Sequence, residues 1–282
     1  MNDVFFANNR KTNTVWFSLE NAQDTLKAQW ERIFADSGIS PNSPSMKYRT
    51  NADTRIKKLI KHRNLIQIAK EEIKSINGKI SVPFVFILTD KTGDVLFLEA
   101  PKIILEKLES LNIGVGTCFS MNCAGINAIS VAMEVKRVTA VIGEEHSLRL
   151  FFNWSCVCSP IFFGSKIIGY LNLSFSKSVC ISFAVPFVAK IVEQIENKYV
   201  AIPKDSKNEH IIEMFENYGL TNREKEVALG WLLNGSTLYI SQLLGISEET
   251  VRTVIKKIYA KTGVRDKSQF IKKFWNKTDC AS

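Results

Sequence analysis

The chain has 282 residues, of which 45% are apolar, and a mean hydropathy near zero indicates globular, soluble material with room for two domains. A formal net charge of +9 favours an acidic partner such as nucleic acid. The uncharged apolar stretch at 178–189 is too short to span a bilayer, the first 20 residues hold no long apolar run, and six cysteines are too few for a disulfide scaffold. The expectation is a reduced, cytoplasmic protein without a membrane partner.

Residues 19–37 and 53–76 have helical periodicity, separated by the breaker Ser-Gly-Ile-Ser-Pro-Asn-Ser-Pro at 37–44. The second carries Arg55, Lys57, Lys58, Lys61 and Arg63, read as a solvated face in preference to a DNA contact. From residue 81 the pattern turns to strands. Residues 82–88 and 95–98 flank the turn Thr-Asp-Lys-Thr-Gly-Asp to make a hairpin, and 156–163 and 167–175 flank Gly-Ser-Lys to make another. Residues 103–111, 126–135 and 183–199 read as helices and 138–142 as a strand. The apolar stripe of 183–199 suits either a dimer seam or packing on the chain's own sheet. Hairpins with intervening helices predict an α+β domain on an antiparallel sheet.

Four cysteines, Cys118, Cys123, Cys156 and Cys158, fall close together, and alternation puts Cys156 and Cys158 on one strand face. They are candidates for a thiol switch or a metal site; the plainer alternative is four small buried hydrophobes. No phosphate-binding glycine loop, H-E-x-x-H or G-x-S-x-G occurs, and three histidines offer little material for catalysis. The expectation is a protein that is not an enzyme.

Several stretches match a known family in order: Leu88-Thr-Asp90 with Gly93, Gly125 to Ile129, Gly143 to His146, Trp154 to Cys156, Ser159 to Ile161, and Ile168 to Leu173. Across roughly 25–176 the chain resembles the GAF-type sensory domain of bacterial activators of acetoin and glycerol catabolism. Met121 and Ile126 depart from that pattern, which implies a different ligand. The ATPase domain that normally follows in those activators does not fit in the short gap here. The resemblance implies a small-molecule effector, with Asn127, Glu144, His146 and Trp154 as candidate pocket residues. Of these, Asn127 is placed as a helix cap and His146 as a hydrogen-bonded framework residue.

Residues 201–219, polar and containing Pro203, form the expected linker between a domain at 1–200 and one at 220–282. Thr221 and Glu224 have capping-box form, Asn234-Gly235 closes the helix, and Ser236 or Thr237 caps the next. Gly245 supplies a turn, Ser247 caps a third helix, and the sequence from Asp266 opens a fourth. From 251 to the end there are nine Lys/Arg against two Asp/Glu, a local excess suited to phosphate contact.

Leu220-Thr221, Arg223-Glu224, Glu226-Val227, Ile246-Ser247, Thr250-Val251, Ile258-Tyr259, Lys261 and Gly263-Val264 resemble the LuxR-type (GerE-type) helix-turn-helix at the right spacing. That likeness implies an all-α four-helix domain whose third helix enters the DNA major groove. Arg252, Thr253 and Lys256 are then expected to face double-stranded DNA, with Ser247 and Thr250 at the entering end and the fourth helix at a homodimer contact. Ser241, Val254, Thr262 and Asn234 depart from the family pattern. The whole reads as a one-component transcription regulator acting with RNA polymerase, under control of a small molecule or, alternatively, of redox state or a metal ion at the four cysteines.

Overall fold

The computed structural model describes residues 16–200, 208–232, 236–244 and 246–275. The expected closure at Asn234-Gly235, the Gly245 turn, the first part of the linker and Cys280 lie outside the described residues.

The chain opens with β1 (Phe17–Ser18), then α1 (Asp24–Asp36), α2 (Ala52–Lys61) and α3 (Arg63–Asn77). The single helix expected at 53–76 is two, because the backbone bends at His62 (φ −104°, ψ 15°). The hairpin β2 (Phe84–Asp90) and β3 (Val95–Glu99) follows, then α4 (Lys102–Ser110), a four-residue helix α5 (Met121–Ala124) and α6 (Ala128–Val135). Next come β4 (Thr139–Ile142), the long hairpin β5 (Trp154–Phe163) and β6 (Lys166–Ser176), and α7 (Ala184–Val200).

Among the described residues the sheet has six strands in the order β1-β4-β5-β6-β2-β3. Neighbours are antiparallel except the β1–β4 edge pair, which is parallel. The two hairpins join through β2 and β6, where Val85 pairs with Ser174 and Ile87 with Asn172. Alternation then sorts the side chains. Val157, Leu171, Leu173, Phe86 and Leu88 lie on one face, all fully buried, and α3 and α7 pack there. The α7 stripe of Val185, Val188, Ile191, Val192 and Ile195 is buried on the chain's own sheet, so this stripe is not a dimer seam. Cys156, Cys158, Asn172 and Ser174 lie on the other face, under α4, α6 and their loops.

Three residues of the basic run across α2 and the start of α3 are taken up by the fold, while Lys57 and Lys61 stay exposed. Lys58 bridges Asp90, at 2.7 Å, and Asp94. Burial would raise the Asp90 carboxyl, but the hydrogen bonds from Lys58 and Thr92 outweigh it and hold it below the usual range. Arg63 is buried, and Arg55 pairs with Glu226 in the carboxy-terminal unit.

Within the segment read as a linker, Asn208–Asn217 is a helix, α8, whose Phe215 is fully buried against Phe274. Then come α9 (Asn222–Leu232), α10 (Thr237–Leu244), α11 (Glu248–Thr262) and α12 (Lys267–Trp275). Gly230 lets α9 and α10 meet closely: a Cβ there would sit 3.0 Å from Ile240. The carboxy-terminal unit rests on the sheet domain through α2 against α9, and through Tyr239 of α10. The Tyr239 ring lies 5.9 Å from Phe97 on β3, with the Lys70 ammonium 4.9 Å from its centre.

Candidate functional site

Two places carry unused polar chemistry: the outer face of α11 and a cavity behind the sheet. In α11 the Ser247 hydroxyl caps the helix, accepting from the Thr250 amide at 3.0 Å. Gly263, at φ +68°, ends it with amides 263 and 264 both donating to the Tyr259 carbonyl. Val251, Ile255 and Ile258 anchor the inner side, so Arg252, Thr253 and Lys256 are exposed together on the outer one. Ser247 and Thr250 are exposed at its amino-terminal end. Glu248 accepts from Thr237 at 2.9 Å and pairs with Arg252 at 3.3 Å, tethering that guanidinium to the helix start. Val254 is half-buried.

Other polar residues of this unit are struts. Thr221 and Glu224 form the expected reciprocal cap, at 2.7 and 3.3 Å. Glu224 also receives Lys261 at 2.6 Å; burial opposes its ionisation, but the lysine and the Thr221 bonds hold the carboxyl below its usual value. Two of the family departures are neutralised locally, since the Ser241 hydroxyl donates to the Leu238 carbonyl at 2.8 Å and the Thr262 hydroxyl to that of Ile258 at 2.7 Å. Lys267 covers the Trp231 ring at 4.1 Å, and Trp231 donates to the Tyr259 hydroxyl at 2.9 Å.

The family model for bacterial regulatory proteins of the luxR family matches residues 219–274. Residues 219–274 belong to the luxR family. The chain is 29% identical over 139 residues to a signal-transduction and transcriptional-control protein of Clostridium beijerinckii, covering 49% of this chain and 22% of that protein. It is 27% identical over 119 residues to the acetoin dehydrogenase operon transcriptional activator AcoR of Bacillus subtilis, covering 42% and 19%. The chain thus spans about a fifth of the length of these curated relatives. A chain of the E. coli DhaR(N)–DhaL complex shares the fold, with a TM-score of 0.57, 16% identity, and coverage of 68% of this chain and 67% of that one.

The luxR-family domain is thus joined to an α+β unit that holds the second site. Its floor is the sheet face bearing Val85, Ile87, Cys156, Asn172 and Ser174, and its roof comes from Leu108, Ile113, Phe119, Ala128, Ile129, His146 and Phe151. The cavity has a volume of about 30 Å³, and its accessible lining is nearly all apolar. Gly125, at φ +62°, lets the roof loop close: a Cβ there would lie 2.4 Å from the Ser147 Cβ.

Three of the four candidate pocket residues meet at this cavity. Asn127 caps α6, its Oδ1 accepting from amides 129 and 130 and its Nδ2 donating to the carbonyls of Phe119 and Gly125, all within 3.1 Å. Its polar atoms are spent on the framework. His146 donates from Nδ1 to the Gly143 carbonyl at 2.8 Å, because a carbonyl can only accept. Burial pushes its pKa down to about 4, so the ring is neutral. Trp154 forms a side wall and also lines an open outer crevice with Pro83, Ile104 and Lys107. Glu144, by contrast, projects from the cavity region into solvent and pairs with Lys177 at 2.8 Å.

The cysteines separate into two environments. Cys156 and Cys158 are buried; burial pushes the Cys156 thiol up to about 12, against the Ser174 hydroxyl that donates to it at 3.1 Å, and burial also raises the Cys158 thiol. Cys118 on the roof loop and Cys123 in α5 interact, both half-buried. Their shared hydrogen bond lowers Cys123 to about 7 and raises Cys118. Among the described residues no three His, Cys, Asp or Glu side chains gather in an arrangement that could hold a metal ion. The two pairs sit on different elements, one on the roof loop and α5 and the other on β5, and the buried β5 thiols stay protonated.

Two polar residues escaped the sequence reading. Asn172 and Ser174 alternate within an apolar strand on the same face as Cys156, and Asn172 donates to Ser174 at 2.9 Å. The signal was present: two polar residues at i and i+2 set among Tyr170, Leu171, Leu173 and Phe175.

Proposed function

We propose that the chain is a one-component transcription regulator. A sensory unit at 1–200 takes up a small molecule, 201–219 joins it to the reader, and 220–282 binds double-stranded DNA as a homodimer and acts on RNA polymerase in the cytoplasm. This reading assigns the chain no catalytic role. What carries it is the luxR-family match falling on a rigidly capped helix, α11, whose exposed face holds Arg252, Thr253 and Lys256. A guanidinium suits bidentate contact with guanine, and an ammonium suits phosphate. The curated relatives described as transcriptional proteins support the same reading. No helix among the described residues is long and apolar enough to cross a membrane.

Coupling follows from the joint between the units. Arg55 and Arg223 both engage the buried Glu226 carboxylate, and Tyr239 packs on Phe97 of the sheet edge. An effector acts on DNA binding to the extent that it favours one arrangement of this joint. The test is selection of bound fragments from a random DNA pool by the full chain. The wild type enriches one sequence, and a chain with Arg252→Ala and Lys256→Ala does not; equal enrichment by both refutes the reading.

The Cys118–Cys123 contact favours a second form of the same regulator, responsive to oxidation. Counting free thiols in protein purified without air, before and after peroxide, tests it. Unchanged regulation in Cys123→Ser rejects it.

A further inference from the structure

Two buried side-chain atoms at the cavity have no hydrogen-bond partner among the described residues: His146 Nε2 and Asn172 Oδ1. Both residues are buried, His146 and Asn172 each at 3% exposure. An unmatched polar atom in such a place is costly, on the order of 1–3 kcal/mol in general, and native proteins rarely leave two together. The two atoms share one character. His146 Nδ1 carries the ring proton, because it faces a carbonyl, so Nε2 offers only a lone pair. Asn172 Nδ2 donates to Ser174, whose hydroxyl is in turn committed to Cys156, so Oδ1 is the unused end of that amide. No Lys, Arg, Asp or Glu lines the cavity.

We infer that the effector of this site is a compact, uncharged molecule that donates two hydrogen bonds and needs none in return: a short-chain diol, with one hydroxyl on His146 Nε2 and the other on Asn172 Oδ1. The inference rests on the cavity being the sensory site proposed above. Charge excludes the alternatives of similar size. A carboxylate oxygen would meet two lone pairs and no cation in an apolar chamber, which is strongly unfavourable. A hydroxyketone supplies one donor and strands its carbonyl, since neither orphaned atom is a donor. Size narrows the class further, because about 30 Å³ of space for atom centres admits only a compact molecule of a few heavy atoms. Two hydroxyls on a two- or three-carbon chain match that, with the carbons against Val85, Ile87 and Phe119. Trp154, between the cavity and the outer crevice, is the side chain placed to report entry.

The test titrates the full chain with propane-1,2-diol and ethane-1,2-diol, following tryptophan fluorescence with Trp154→Phe as the control that loses the signal, and calorimetry as a second readout. The parallel probes are propan-1-ol, lactate and hydroxyacetone. The expected result is saturable diol binding at micromolar to millimolar Kd, about what five heavy atoms support. Propan-1-ol binds at least about tenfold more weakly, as one lost hydrogen bond implies, and lactate and hydroxyacetone do not saturate. Asn172→Leu, checked by thermal melt for folding, weakens the diol by a similar factor. Diol binding no better than that of propan-1-ol, or no diol binding at all, overturns the inference. Saturation by lactate or hydroxyacetone alone overturns the diol assignment while leaving the sensory reading standing. Two ordered waters on His146 and Asn172 that no probe displaces overturn both for this cavity.

Discussion

The outer face of α11 and the chamber under the sheet use polar groups in opposite ways. On α11 the charges face water on a helix fixed at both ends, and their role is to meet another set of charges. Behind the sheet, charge is absent, the histidine is held neutral, and the polar atoms stand out because so little else there is polar. A surface reader tolerates loss of one side chain without unfolding, since water replaces it. A buried chamber does not, since each polar atom removed strands its partners. The two regions should therefore respond differently to substitution, to acid and to salt.

The largest effect should come from the cavity frame. Asn127→Leu strands two amides and two carbonyls at the start of α6 and is expected to cost about 3–4 kcal/mol in urea unfolding, from per-group costs of roughly 1–3 kcal/mol. A loss below about 1 kcal/mol would erase the contrast with the reader. Acid comes next. His146 and His62 are both pushed by burial to about 4 from an ordinary 6.5. The unfolded chain binds these protons first as the pH falls. Stability is thus level above about pH 6.5, declines between 6.5 and 4, and levels off again, by on the order of 2–3 kcal/mol per fully buried histidine. Urea midpoints measured across that range check it, and His146→Phe should make the decline shallower.

Smaller and confined to binding is the effect on the reader. Arg252→Ala is expected to weaken the selected DNA at least about tenfold, and Lys256→Ala to lower the salt slope by about one, both within about 0.5 kcal/mol of wild-type stability. A lowered melting point with unchanged DNA affinity would reverse their assignment to the surface. The smallest shift belongs to the joint. Arg55→Ala removes one of two cations from Glu226 but leaves Arg223 in place at 2.6 Å. About 1 kcal/mol of stability should be lost, and small-angle scattering should report a more open chain; an unchanged profile would show that Arg55 does not hold the units together.

Most of the helices and strands were legible because their apolar periods are clean and their ends carry caps. Ser247, Thr221 with Glu224, and Asn127 all act at the helix starts where the sequence put them. The exposed set Arg252, Thr253 and Lys256 was equally readable, since a helix of known phase with Val251 and Ile255 inward leaves those positions outward. The departures have local causes. One helix became two at His62, where no Gly or Pro announced the bend. The basic run of α2 looked solvated, yet Lys58, Arg63 and Arg55 are drawn to carboxylates or buried by partners far along the chain. Glu144 lay within a family-like stretch, but a three-residue turn at Gly143–Glu145 aims it outward.

The sequence by itself determined the luxR-type reader, the phase of its helix α11, and the alternating strands of the sensory unit, because each is written in residues a few positions apart. The tertiary structure decided which residues share the cavity. Asn172 and His146 are 26 positions apart and meet only because β6 pairs with both β2 and β5 while the loop after β4 folds over that face. It also decided that Cys156 pairs with Ser174 while Cys118 finds Cys123, and that Glu226 is answered by Arg55. Hydrogen bonds and ion pairs act over about 3 Å, and only the folded sheet brings residues distant in the chain within that reach.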